Sequence, residues 1–93
     1  MRCGTATPRL EIYVTRQCLA CNDARRTAAE VKQRFPMLSV EVVDIDIEAG
    51  RKPHAVFSVP TYVLNDRIVS LGNPAPDDLF RRISDILDAA SKA

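Results

Sequence analysis

Leu10-Glu11-Ile12-Tyr13-Val14, then Thr15-Arg16-Gln17, then Cys18-Leu19-Ala20-Cys21 is the stretch on which the fold of this chain turns. The first five residues alternate apolar and polar at their start and are rich in β-formers, which predicts a strand. From Leu19 to Phe35 the apolar positions Ala20, Ala24, Ala28, Val31 and Phe35 fall at intervals of 4, 4, 3 and 4, the spacing that draws one stripe down a helix, and Pro36 ends it. Two thiols therefore sit where a strand gives way to a helix. Unsatisfied N–H groups and the positive end of the helix dipole favour a thiolate there, lowering a cysteine pKa from about 8.5 to roughly 3.5–7.5. Arg16, Arg25 and Arg26 push in the same direction. Cys18, first and nearer the surface, is the expected nucleophile. Cys21, about one helical turn on, is placed to attack a mixed disulfide formed at Cys18.

Leu38 to Ile47 carries Leu38, Val40 and Val42 on one parity and Val43, Ile45 and Ile47 on the other, which predicts a strand buried on both faces, parallel and central in its sheet. A polar link, Glu48 to Pro53, leads to a short helix or turn over His54–Ser58. Thr61–Leu64 and Arg67–Leu71 then flank Asn65-Asp66, two residues tolerant of positive φ, so a two-residue hairpin is expected. Gly72-Asn73-Pro74-Ala75-Pro76 is a breaker cluster. Beyond it Leu79, Ile83, Ile86, Leu87 and Ala90 form a second helical stripe, with Asp77 and Asp78 in the first turn where the dipole favours them. The order is β-α-β-(short α)-β-β-α. It predicts an α/β fold: one four-stranded mixed sheet with helices on both faces, spanning residues 10–93 after a tail over residues 1–9.

Composition fits one soluble domain: 93 residues, 46% apolar, 27% charged, with 13 basic against 12 acidic side chains. Apolar runs such as Ile12-Tyr13-Val14 and Tyr62-Val63-Leu64 fall far short of the roughly 18 residues of a membrane span or the roughly 7–15 of a signal core. A net charge of +1 gives no global reason to expect nucleic acid or an anionic membrane as partner. Residues 1–40 nonetheless hold seven bases against three acids. Three cysteines are too few, and odd in number, for a secreted disulfide framework, so a reducing cytoplasm is the expected location.

Two cysteines at this spacing also occur as ordinary small apolar core residues, and a zinc site is a second reading, with Cys3, Cys18, Cys21 and His54 as the available soft ligands. No second C-x-x-C exists, and the strand-to-helix context is the one the redox reading requires. Pro60 adds independent support: at the start of a predicted strand it cannot donate to a ladder, and so belongs at an edge, an entry or a cis bend.

With these residues in hand the sequence resembles the thioredoxin and glutaredoxin superfamily. The resemblance rests on Ile12-Tyr13-Val14 leading to Cys18-Leu19-Ala20-Cys21, on Val56-Phe57-Ser58-Val59-Pro60-Thr61, and on Asp66-Arg67-Ile68-Val69 with Gly72 beyond, and it spans Leu10 to about Ala90. It implies a cis Pro60 standing against the cysteine pair. It also implies that Val59 offers its main chain to an extended substrate beside Cys18, by strand addition, with Thr61 beside the pocket. Arg16, Val59, Gly72 and Asp77 would line a small anionic-peptide site. Protein disulfides and a reductase are the implied partners, and the Cys18/Cys21 pair itself is the redox centre, with no other cofactor and no metal.

The chain also departs from the patterns of the superfamily it resembles. Gln17 and Leu19-Ala20 stand where thioredoxins carry Trp and Gly-Pro, and Ile12 replaces the acid six positions before the first cysteine. Gly72-Asn73-Pro74 stands where glutaredoxins carry a Gly-Gly pair, which argues against glutathione as a bound ligand. His54 is expected to pack, and Cys3 to be an incidental tail thiol. The preferred expectation is a thiol–disulfide oxidoreductase in which Cys18 attacks and Cys21 resolves. A non-catalytic binding or redox- or metal-sensing module of the same fold is the alternative.

Overall fold

The computed structural model describes residues 8–16, 19–48, 50 and 59–92, with the backbone alone at Ala90, Ser91 and Lys92. Strand β1 (Arg9–Val14) begins one residue before the expected Leu10, because the Pro8 carbonyl already accepts from the Ser39 N–H at 3.0 Å. It runs into helix α1 (Leu19–Arg34), strand β2 (Ser39–Asp44), strands β3 (Thr61–Leu64) and β4 (Arg67–Leu71), and helix α2 (Pro76–Lys92). The sheet order is β2-β1-β3-β4, with β1 parallel to β2 and antiparallel to β3, and β3 antiparallel to β4. The expected short helix over residues 54–58 lies outside the described residues.

Sheet register fixes which side chains share a face. Leu10, Ile12 and Val14 of β1 align with Tyr62 and Leu64 of β3, and all five are buried with Cys21, Ala24, Ala28 and Val31 of α1 and Leu79 and Ile83 of α2. Both described helices thus cover one face. The opposite parity brings together Tyr13, Val43 and Val63, also buried, with Ile45 against them. At the far end of α1 the Phe35 ring tilts against Phe80 of α2 at 6.1 Å, and the Arg34 guanidinium lies 4.5 Å over the Phe80 ring, a cation–π contact that ties the helices together.

Two local expectations meet different outcomes. The hairpin follows the sequence: Asn65 and Asp66 adopt φ of 50° and 69°, the left-handed pair that a two-residue turn needs to match strand twist. The Asn65 side chain accepts from the Arg9 N–H at 2.9 Å, and the Arg9 guanidinium pairs with Asp66, so the turn is fastened to the central strand. Strand β2, by contrast, is an edge strand, and the central place belongs to β1. The apolar residues on both parities read as two-sided burial, but the strand ends at Asp44. Its carbonyl accepts from Ile47 and Glu48, the chain turns, and Ile47 is left 64% exposed. Within β2 itself Val43 is fully buried while Val40 and Val42 are half-covered on the helical side. A register shift between Tyr62 and Val63 leaves Val69 unpaired in β4, a bulge that no local residue signals. Among the described residues no helix is long and apolar enough to cross a membrane.

Candidate active site

One end of the sheet gathers four chain segments. Tyr13 pairs with Thr61, so the point where the chain leaves β1 toward α1 lies beside Pro60 at the entry of β3. Thr61 pairs with Leu71, so the exit of β4 at Gly72 and Asn73 lies there too. The turn after β2 joins them, since Asp46 accepts from the Arg16 N–H at 3.2 Å while its own N–H donates to Asp44 Oδ1 at 2.9 Å.

Cys21 sits in the first turn of α1, fully buried and disulfide-bonded. Cys3, Gln17, Cys18 and His54 lie outside the described residues. Leu19 beside it is 86% exposed, which places the start of the helix at the surface and Cys21 on its inward side. The Val59–Pro60 peptide is cis. Pro60 is buried, and its carbonyl accepts from the Gly72 N–H at 2.7 Å, while Val59 packs against the core cluster that contains Cys21. Thr61 is fully buried. Arg16 is exposed at the turn, and its side chain reaches no other member of this group among the described residues.

The charges around the helix start are less free than the sequence implies. Arg26 pairs with Asp23 one turn on, and Arg25 reaches the Thr15 carbonyl at 3.5 Å and Asn22 Oδ1 at 3.4 Å. Arg25 thereby clips the β1–α1 connection to the helix. The expected help of Arg26 toward a thiolate is offset by its carboxylate neighbour, which leaves the helix terminus as the main source of positive potential.

A second feature was invisible in the sequence. Asn73 donates from Nδ2 to the Ala20 carbonyl at 2.9 Å and accepts at Oδ1 from the Tyr62 hydroxyl at 2.8 Å. Thr27, two turns along α1, lies near the same phenol. Burial pushes the Tyr62 phenol above its ordinary value; the Thr27 side chain works against this, and the Asp23 carboxylate adds to it. Sequence reading placed Tyr62 in the core and Asn73 in a breaker cluster. The available signal was chemical: a tyrosine at the mouth of a buried strand must find a partner for its hydroxyl.

No family model matches the chain. A probable thioredoxin of Methanothermobacter marburgensis is 26% identical over 82 residues, covering 86% of this chain and 96% of that protein. Thioredoxin-2 of the malaria parasite superposes with a TM-score of 0.72 at 20% identity, over 85% of this chain and 82% of that one. A poplar thioredoxin h superposes with a TM-score of 0.71 at 23% identity, over 88% of this chain and 78% of that one. The chain has the thioredoxin-superfamily fold. In thioredoxin-fold terms, the β1–α1 junction and the Val59–Pro60 bend are the two places that the resemblance singled out, and they occupy one end of the sheet.

Proposed function

We propose that this protein is a thiol–disulfide oxidoreductase whose redox centre is the Cys18/Cys21 pair. The observation that carries the reading is Cys21: disulfide-bonded and buried in the first turn of a helix that follows the central strand, at the sheet end where Pro60 also lies. In the dithiol form the Cys18 thiolate attacks one sulfur of a partner disulfide. The partner's other sulfur leaves as a thiolate and takes a proton. The Cys21 thiolate then attacks the Cys18 sulfur of the mixed disulfide, expelling the second partner thiol. The partner gains two electrons and two protons, and Cys18–Cys21 becomes the disulfide. A reductant in the surrounding cytoplasm returns it to the dithiol.

Substrate recognition in this reading is main-chain work. The Pro60 carbonyl is already taken by Gly72, so Val59 is the residue left to pair with an extended partner segment, with Thr61 and Arg16 at the margins. Protein disulfides suit such a site, because strand addition leaves partner side chains largely unread.

The test is a pair of serine variants in an insulin-reduction assay. Cys18→Ser abolishes turnover, while Cys21→Ser leaves the first attack intact and accumulates mixed disulfides visible as covalent adducts on non-reducing gels. Wild-type turnover by Cys18→Ser overturns the assignment.

A further inference from the structure

Ala20 lies between the two cysteines, and its carbonyl belongs to the peptide bond that leads into Cys21. Within α1 that carbonyl is directed along the helix; Asn73, from the far side of the sheet end, supplies an additional donor. The orientation of the amide is fixed by chemistry rather than by choice. A backbone carbonyl only accepts, so Nδ2 faces Ala20, and Oδ1 is left to accept the Tyr62 hydroxyl. Tyr62 is itself held in the core of β3. The chain Tyr62–Asn73–Ala20 therefore fastens the first turn of α1 to β3 and to the β4–α2 connection.

We propose that Asn73 is a positioning residue for the redox centre: by holding the Ala20–Cys21 peptide it stabilises the disulfide form relative to the dithiol, with Tyr62 acting through it. This deepens, and rests on, the oxidoreductase reading above. The tether is present with Cys21 in its disulfide. A fixed Ala20 carbonyl favours the geometry it is seen with. Tyr62 stays neutral and able to donate across the physiological range, because burial holds its phenol above the ordinary value.

The test is the equilibrium of the full-length protein with glutathione buffers, in which two glutathione thiols supply the two electrons and two protons and end as one glutathione disulfide. Asn73→Ala is expected to make the disulfide about threefold easier to reduce, a shift of about 14 mV toward the less negative for a two-electron couple. Tyr62→Phe keeps the ring in the core and removes only the hydroxyl; it is expected to shift the equilibrium in the same direction by a smaller factor. The double variant is expected to match Asn73→Ala alone, since the hydroxyl has nothing left to orient. A merely structural role would lower Tm in these variants without moving the equilibrium. An unchanged equilibrium in Asn73→Ala, or additive shifts in the double variant, overturns the proposal. A wild-type protein that never exchanges with glutathione at any ratio overturns the oxidoreductase reading instead, so the two failures are distinct.

Discussion

Helix α1 lays Cys21, Ala24, Ala28 and Val31 against the sheet, whereas helix α2 lays Leu79 and Ile83 on the same face, with Ile86 and Leu87 half-covered beside them. Small side chains let the backbone of α1 come close to β1 and β2; the backbone of α2 stands farther off and fills the gap with branched side chains. The two helices therefore tolerate opposite changes. Beneath α1 there is little slack, and any enlargement must move the helix that carries Cys21. Beneath α2 there is volume to lose, and any truncation opens a cavity. One helix fixes a reactive group in place, and the other supplies core.

The largest effect expected from this contrast is at α2. Ile83→Ala deletes three carbons from a fully buried site and should cost about 3 kcal/mol, lowering Tm by roughly 15 °C. Its disulfide equilibrium with glutathione should stay within about twofold of wild type, because the cavity forms away from the helix that holds Cys21. Ala24→Leu is the converse. It adds three carbons at a fully buried position three residues after Cys21 and should cost about 2 kcal/mol through overpacking. Despite the smaller loss of stability it should move the disulfide equilibrium, since α1 is displaced. Thermal melts paired with glutathione titration decide the matter: if Ile83→Ala shifts the equilibrium more than Ala24→Leu does, the division of labour between the helices is wrong.

How far the sequence could be read depends on the range over which each feature is determined. The hairpin was legible because Asn65 and Asp66 carry their own tolerance of positive φ, and α2 because Pro76, Asp77 and Asp78 mark its start before a regular stripe. The thiol motif and Pro60 were legible as chemistry. The meeting of Cys21 and Pro60 at one sheet end follows from the pairing of Tyr13 with Thr61, a long-range fact that no window of sequence contains. Strand β2 was misplaced for a physical reason: Val43 and the Ile45–Ile47 turn mimic a second buried face, although Ile47 ends in solvent. The bulge at Val69 and the tether from Asn73 to Ala20 join residues whose identities are each unremarkable in isolation, and only the assembled sheet brings them together.

The finest effect sharpens the contrast through pH. Tyr62 lies beneath α1, and its phenol is clearly displaced from its ordinary value. Its phenol is raised above 10.0 by burial, so the folded chain keeps the proton after the unfolded chain has begun to release it. By linkage, the stabilisation is fully present below the unfolded value and is lost as pH rises through the folded one. Urea unfolding of wild type should therefore show declining stability as pH rises past the ordinary phenol value of 10.0, and Tyr62→Phe should show a shallower decline over the same range. Taking the difference between the two proteins removes the titrations they share. A pH-independent difference would mean that the phenol beneath α1 is not held in its neutral form by the fold.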